Sequence, residues 1–398
     1  MSAIYPFAAL RPEPKAAAAV AAVPYDVVNT QEARVLAAGN PLSFLHVSRP
    51  EIDLPPGAHP YSDAVYERAT KNFTELKRAA PLVVEEVPSF YLYRLHMGAH
   101  VQTGMAACYS LDEYDRDLIK KHEKTRPDKE DDRTRHMLAI GAQTGPVFLT
   151  YRAAKAVDAI VARVTQQAPL FDFTAVDGVR HEVWQVPAAG NQAIVDAFAT
   201  IDSLYIADGH HRAASAARTR RSLAARGSGE HDRVMAVAFP DNQMQVLPYN
   251  RVVADLRGLA PAAFLAALKK TLSVRDGGPA VPGAKGSIAM YLDGAWHTIA
   301  MPAGRDALDV DLLQTSIVEP LLGIADLRTD KRIDFVGGIR GTAELEQLVN
   351  AGTFAVAFSL YPVSVGDLMR VADAGGIMPP KSTWFEPKLR DGLLSHVI

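Results

Sequence analysis

The pattern of apolar and polar positions changes character several times along the chain. Ala64, Val65, Ala69, Phe73 and Leu76 recur at three- or four-residue spacing, which predicts a helix over 61–78 with one buried face. Segments 88–95 and 101–109 read as two strands joined by a turn at 97–100. Segment 146–151 is an apolar run bounded by Gly145 and reads as a buried strand. Helices are expected over 153–167, 194–200 and 213–225, with strands over 179–186, 203–207, 234–239 and 245–247. Segment 43–47 also reads as a strand-like run, followed by loop signals at Pro50 and Pro55-Pro56-Gly57.

Beyond about residue 255 the order changes to helix, strand, strand, helix. Segment 261–271 is helical, 277–286 is a Gly/Pro-rich linker, and 287–292 with 296–301 form a hairpin about Asp293-Gly294. Helices at 308–322, 342–351 and 365–373 surround a strand at 354–361. The runs 326–340 and 378–389 carry enough glycine or proline to read as loops. The second mixes Trp384 and Phe385 with polar residues, which suits a pocket wall and a docked tail equally. The mixture predicts an α+β protein rather than a regular doubly wound sheet, with regions 1–100, 101–255 and 256–398.

Composition narrows the class. The 398 residues are 48% hydrophobic and 22% charged, ordinary values for a globular chain with ample core material. The formal net charge of −3 argues against duplex nucleic acid as a partner. A single cysteine, Cys108, excludes an intramolecular disulfide and fits a reducing compartment. The start, Met1-Ser-Ala-Ile-Tyr-Pro-Phe, lacks the basic and apolar pattern of a signal peptide. No apolar run approaches the ~20 residues of a membrane span, so a cytoplasmic protein is expected.

Candidate chemistry concentrates in two places. At 203–220 an apolar strand runs into Asp208-Gly209-His210-His211-Arg212 and then an alanine-rich helix. A helix N-terminus offers unpaired N–H groups and partial positive charge, and Gly209 lets an anion approach the backbone. Arg212 adds a fork of donors suited to phosphate, His210 and His211 add imidazole donors, and Ala213, Ala214, Ala216 and Ala217 permit close packing. The bland alternative is a tight turn capped by Asp208 with two surface histidines. Adjacent histidines at a helix start point in different directions, so the His210–His211 pair does not read as a metal chelate.

The second place is 112–136, which holds nine acids and eight bases among 25 residues. Its bland reading is a solvated helical face. Its signs balance, however, and His122 and His136 are embedded in it. Thr125 with Asp128 and Pro127 resembles a helix start. The stretch 119–135 could supply a carboxylate base, cations for phosphate and Mg2+ ligands together, the groups that phosphoryl transfer needs. Glu123, flanked by His122 and lysines, is the base candidate.

Short words along the chain then resemble a family long catalogued as a domain of unknown function and linked to free-serine kinases. They are Pro6-Phe7 with Arg11-Pro12, Pro24-Tyr25-Asp26-Val27-Val28, Asn40-Pro41 with 43–47, Lys120-Lys121-His122-Glu123, 208–212, 332–338 and 379–388. The resemblance implies a ParB/sulfiredoxin-like core with additional N- and C-terminal α+β regions. It implies that His211-Arg212 ends a loop binding nucleotide phosphates. It also implies that Glu123, reached after Cys108-Tyr109-Ser110-Leu111, takes the proton from a serine hydroxyl. About 50 residues between Tyr151 and Ser203 lengthen the usual core.

Sulfiredoxin chemistry needs a cysteine where this chain has His210, and ParB-type DNA binding needs a basic reader that the charge balance does not supply. The expected function is therefore a kinase using ATP or ADP with Mg2+ to phosphorylate free L-serine or a similar small hydroxy compound. In it Glu123 and Asp208 are catalytic, with Asp208 also a Mg2+ ligand. Gly209, His210, His211 and Arg212 hold phosphate, joined by Lys121, His122, Arg126 and Arg133. The alternative is a nucleotide-binding regulator without turnover.

Overall fold

The computed structural model describes residues 2–302 and 307–398. It is α+β, with several sheets and interspersed helices. The chain forms two compact units. The first runs to Met244 and takes up Pro387–Ile398 again at the far end; the second is Gln245–Glu386. This differs from the three regions expected. Strands Tyr91–Met97 and His100–Ser110 form one hairpin in register from Tyr91↔Ala106 to Met97↔His100, so the chain does not divide at residue 100.

The first unit is built on a nine-stranded sheet. Its order is Ile119–Lys120, Leu204–Asp208, Val147–Tyr151, Arg233–Pro240, His100–Ser110, Tyr91–Met97, Arg180–Gln185 and Phe171–Thr174, with Ile4–Tyr5 paired beside His100–Ser110. Two of its pairings are parallel: Leu204–Asp208 with Ile119–Lys120, and Arg233–Pro240 with Val147–Tyr151. Val147–Tyr151 is buried at every position, as its uninterrupted apolar run required. Ile206, Leu204, Leu149, Ala213, Ala216 and Ala217 share one core cluster, so the alanine face of helix His210–Ser222 lies against the sheet. A four-stranded sheet, Leu82–Val84, Ala9–Pro12, Ser395–Val397 and Ala142–Gln143, joins the start and end of this unit. Helix Asp63–Ala79 buries Val65, Tyr66, Ala69, Phe73 and Leu76, the face that its periodicity marked.

Segment 43–47 is not a strand. Leu45–Ser48 is a helical turn whose Phe44, Leu45 and Val47 are buried. So short an apolar run carries no period that separates helix from strand.

The second unit carries a six-stranded sheet, ordered Ser273–Asp276, Ala295–Ala300, Ser287–Leu292, Val356–Ser359, Tyr249–Val253 and Ile333–Gly337. The hairpin at Asp293-Gly294 forms, with positive φ at both turn residues. Ile333–Gly337, expected as loop, is an edge strand paired with Tyr249–Val253. A Cβ on Gly337 would fall 2.6 Å from the Trp384 ring, so glycine here is the space the indole occupies. Trp384 itself begins a short strand, Trp384–Glu386, on Gln245–Leu247. No helix among the described residues is long and apolar enough to cross a membrane.

Candidate functional site

The turn between strand Leu204–Asp208 and helix His210–Ser222 rests on one residue. Gly209 has φ 92°, in the left-handed region that a side chain strains to occupy. Its N–H donates to Asp208 Oδ1 at 2.9 Å. A Cβ at Gly209 would stand 2.9 Å from Cζ and Nε of Arg212, so the guanidinium folds back beneath the turn. Gly209→Ala is expected to cost about 1–3 kcal/mol from backbone strain alone. A urea transition should report it as a lowered midpoint with unchanged slope; an unchanged midpoint would mean that the turn relaxes freely.

Arg212 is the electrostatic centre. It is 3% exposed, and Nη1 donates to the Pro146 carbonyl. Nη2 stands 3.4 Å from Asp208 Oδ2 and 3.7 Å from Asp26 Oδ2. Among the described residues neither Nε nor Nη2 has a hydrogen-bond partner, although both are buried. Burial works against its charge, yet Asp26, Asp208 and Asp391 together hold its pKa above the ordinary value. Lys388, brought in by the C-terminal segment, places Nζ 3.1 Å from the same Asp208 oxygen.

Asp391 lines a small enclosed polar cavity with Tyr25, Arg133 and Arg212. Burial pushes its carboxyl up to about 7, with Arg212 pulling the other way. The folded state therefore keeps a proton that an unfolded Asp, near 3.8, has released. The stability this contributes is full below 3.8 and is lost as pH rises through about 7. Asp391→Asn should remove that dependence, so its stability relative to the parent should rise between about pH 5 and pH 8 in urea melts. A relative stability that stays flat over this range would contradict the assignment.

The two-residue strand Ile119–Lys120 explains how the charge block reaches this turn. It pairs in parallel with Leu204 and Tyr205, so the following residues emerge beside Asp208–His210. His122 and His210 lie edge to face with ring centroids 4.4 Å apart, 2% and 5% exposed. The His122 N–H donates to His210 Nε2 at 3.4 Å. Burial lowers the pKa of His122 to about 4 and that of His210 well below its usual value, so both rings are neutral at neutral pH. Half-buried Glu123 completes the group: one ligand-type atom from each of His122, Glu123 and His210 falls within 4.8 Å of the others.

The other candidates are placed differently. His211 Nε2 accepts the Arg126 N–H at 3.0 Å, which ties the helix start to the charge block. The Arg126 side chain pairs with Asp128 at 2.9 Å. Lys121 donates to the Tyr114 carbonyl at 2.6 Å and pairs with Asp117 at 3.2 Å. Arg133 is buried, paired with Asp132 at 2.9 Å and stacked over the Tyr25 ring at 4.2 Å. The Lys121 and Arg126 side chains are thus held by Tyr114, Asp117 and Asp128, whereas Arg133 lines the same cavity as Arg212. Residues that the sequence did not single out, Asp26, Lys388 and Asp391, stand closer to Arg212 and Asp208. Asp26 and Lys388 lie in words quoted for the family resemblance; nothing marked Asp391.

Mg2+ demands an octahedron of oxygens. Asp208 does not fit a resident Mg2+ in this arrangement, because its carboxylate faces two cations, Lys388 and Arg212, and lies outside the His122–Glu123–His210 group.

Comparison with known proteins adds a family. No curated protein matches the chain. Among solved structures, a free serine kinase in complex with AMP aligns with TM-score 0.38 and 15% identity over 72% of this chain and 92% of that one. A conserved hypothetical protein from Pyrococcus furiosus aligns with TM-score 0.37 and 17% identity over 73% and 94%. SbnI with C-terminal truncation from Staphylococcus aureus aligns with TM-score 0.37 and 11% identity over 72% and 85%. The family model described as a protein of unknown function (DUF1015) matches residues 4–319, and the chain belongs to that family.

Proposed function

We propose that the first unit transfers a phosphoryl group from ATP or ADP to the hydroxyl of free L-serine or a similar small alcohol. The observation that carries this reading is the approach of the Glu123 carboxylate to the start of helix His210–Ser222. A phosphotransferase needs a base for the attacking hydroxyl and a preorganised seat for phosphate charge, and these two stand side by side. The first turn of the helix supplies backbone N–H groups, Gly209 lets an anion approach them, the Arg212 guanidinium adds its charge with Nε not hydrogen-bonded among the described residues, and Lys388 adds a second cation. His210 and His211 border the seat. In this reading Asp208 is a positioning residue that holds Lys388 and Arg212 at the phosphate seat, not a metal ligand. The words shared with the free-serine kinase-linked family support the serine acceptor and a ParB/sulfiredoxin-like assignment for this core. The cytoplasm is part of the same proposal.

The test is incubation with ATP or ADP, Mg2+ and a panel of hydroxy-amino acids, followed by detection of the phosphorylated product. Formation of O-phosphoserine is expected. Tight nucleotide binding without product from any acceptor would replace this reading with that of a non-catalytic nucleotide-binding regulator.

A further inference from the structure

We propose that His122, Glu123 and His210 form a binding site for a transition-metal dication of the Zn2+ or Co2+ class. Two imidazoles and one carboxylate are a ligand set that such ions prefer, whereas Mg2+ seeks oxygens. The spacing suits the smaller radius. A triangle of atoms no wider than 4.8 Å puts each within about 2.8 Å of its centre, against ~2.1 Å for a Zn–N bond. Shifts of well under an ångström per side chain close the difference.

The state of the two rings supports the same assignment independently of spacing. His122 Nδ1 is buried and has no hydrogen-bond partner among the described residues, and its ring packs edge to face on His210 with centroids 4.4 Å apart. A buried nitrogen left without a partner is the kind of atom that an ion would satisfy. His210 Nε2 accepts the His122 backbone N–H at a long 3.4 Å, a weak bond that an ion taken by this nitrogen would displace. Glu123 is half-buried, the most exposed member of the group. The pair is formed across 88 residues, by the parallel pairing of Ile119–Lys120 with Leu204–Asp208, and excludes His211, which faces Arg126.

The inference does not depend on the phosphotransfer reading, and a bound dication would engage the carboxylate which that reading uses as base. The experiment is a titration of the full chain with Co2+ and with Zn2+ in the absence of nucleotide, followed by visible absorption and calorimetry. One ion per chain is expected, with the Co2+ spectrum of a mixed nitrogen and oxygen site. Glu123→Gln should weaken it by at least about tenfold, the usual order for a lost ligand group. His122→Gln and His210→Gln should abolish it, and His211→Gln should retain it. If the buried histidine variants do not fold, Glu123→Gln, checked by circular dichroism, still decides. Absence of saturable binding, or binding that Glu123→Gln leaves unchanged, would overturn the proposal without touching the product assay.

Discussion

Glu123→Gln is expected to remove phosphoryl transfer while leaving the nucleotide bound. The amide keeps the size and shape of the carboxylate but cannot take a proton from an attacking hydroxyl. Positioned general bases contribute about 10²–10⁴-fold, so product formation should fall by that order. In the proposed reading the phosphate seat is built by Gly209, Arg212 and Lys388, none of which depends on the Glu123 charge, so nucleotide affinity should stay within about threefold, roughly the spread of a lost exposed contact. Rates of O-phosphoserine formation and calorimetric nucleotide titrations separate the two quantities. Turnover within tenfold of the parent would remove Glu123 from the reaction.

Arg212→Ala is expected to damage both stability and nucleotide affinity. The guanidinium is buried among Asp26, Asp208 and Asp391 and anchors the Pro146 carbonyl. Its removal leaves those carboxylates facing one another, with Lys388 opposite only Asp208. Breaking a buried charge pair from one side costs about 3–5 kcal/mol, so a large drop in the urea midpoint is expected. Arg212→Lys separates the two roles. It restores a cation for the carboxylates but not the fork beneath Gly209, so stability should recover in part while nucleotide affinity remains low. A folded Arg212→Lys protein with parental nucleotide affinity would place the phosphate seat elsewhere.

Local chemistry was legible in the sequence where neighbours in the chain are neighbours in space. Asp208–Arg212 lies between an apolar strand and an alanine-rich helix, and both elements form as that pattern implies. Helix Asp63–Ala79 and the hairpin at Asp293-Gly294 were equally plain, because period and turn chemistry are local signals. Strand Ile119–Lys120 was not, since two residues inside a charge block show no alternation. Ile333–Gly337 was read as loop because its glycines look like breakers until the Trp384 ring beside one of them is known. Much of the site was hidden for a related reason. Lys388 meets Asp208 across 180 residues and His122 meets His210 across 88, and no spacing rule connects such positions.

The return of residues 387–398 to the first unit sets an order of events during synthesis. Strand Ser395–Val397 lies between Ala9–Pro12 and Ala142–Gln143, so that small sheet cannot close on a nascent chain that lacks residues 387–398. Lys388 and Asp391 arrive in the same segment. On the ribosome, the second unit must therefore emerge before the first is complete, and Arg212 waits among acids that its final neighbours have yet to join. Contacts of such long sequence separation form late and slowly. On the proposed reading, a polypeptide that still lacks Lys388 has an unfinished phosphate seat and should not engage nucleotide.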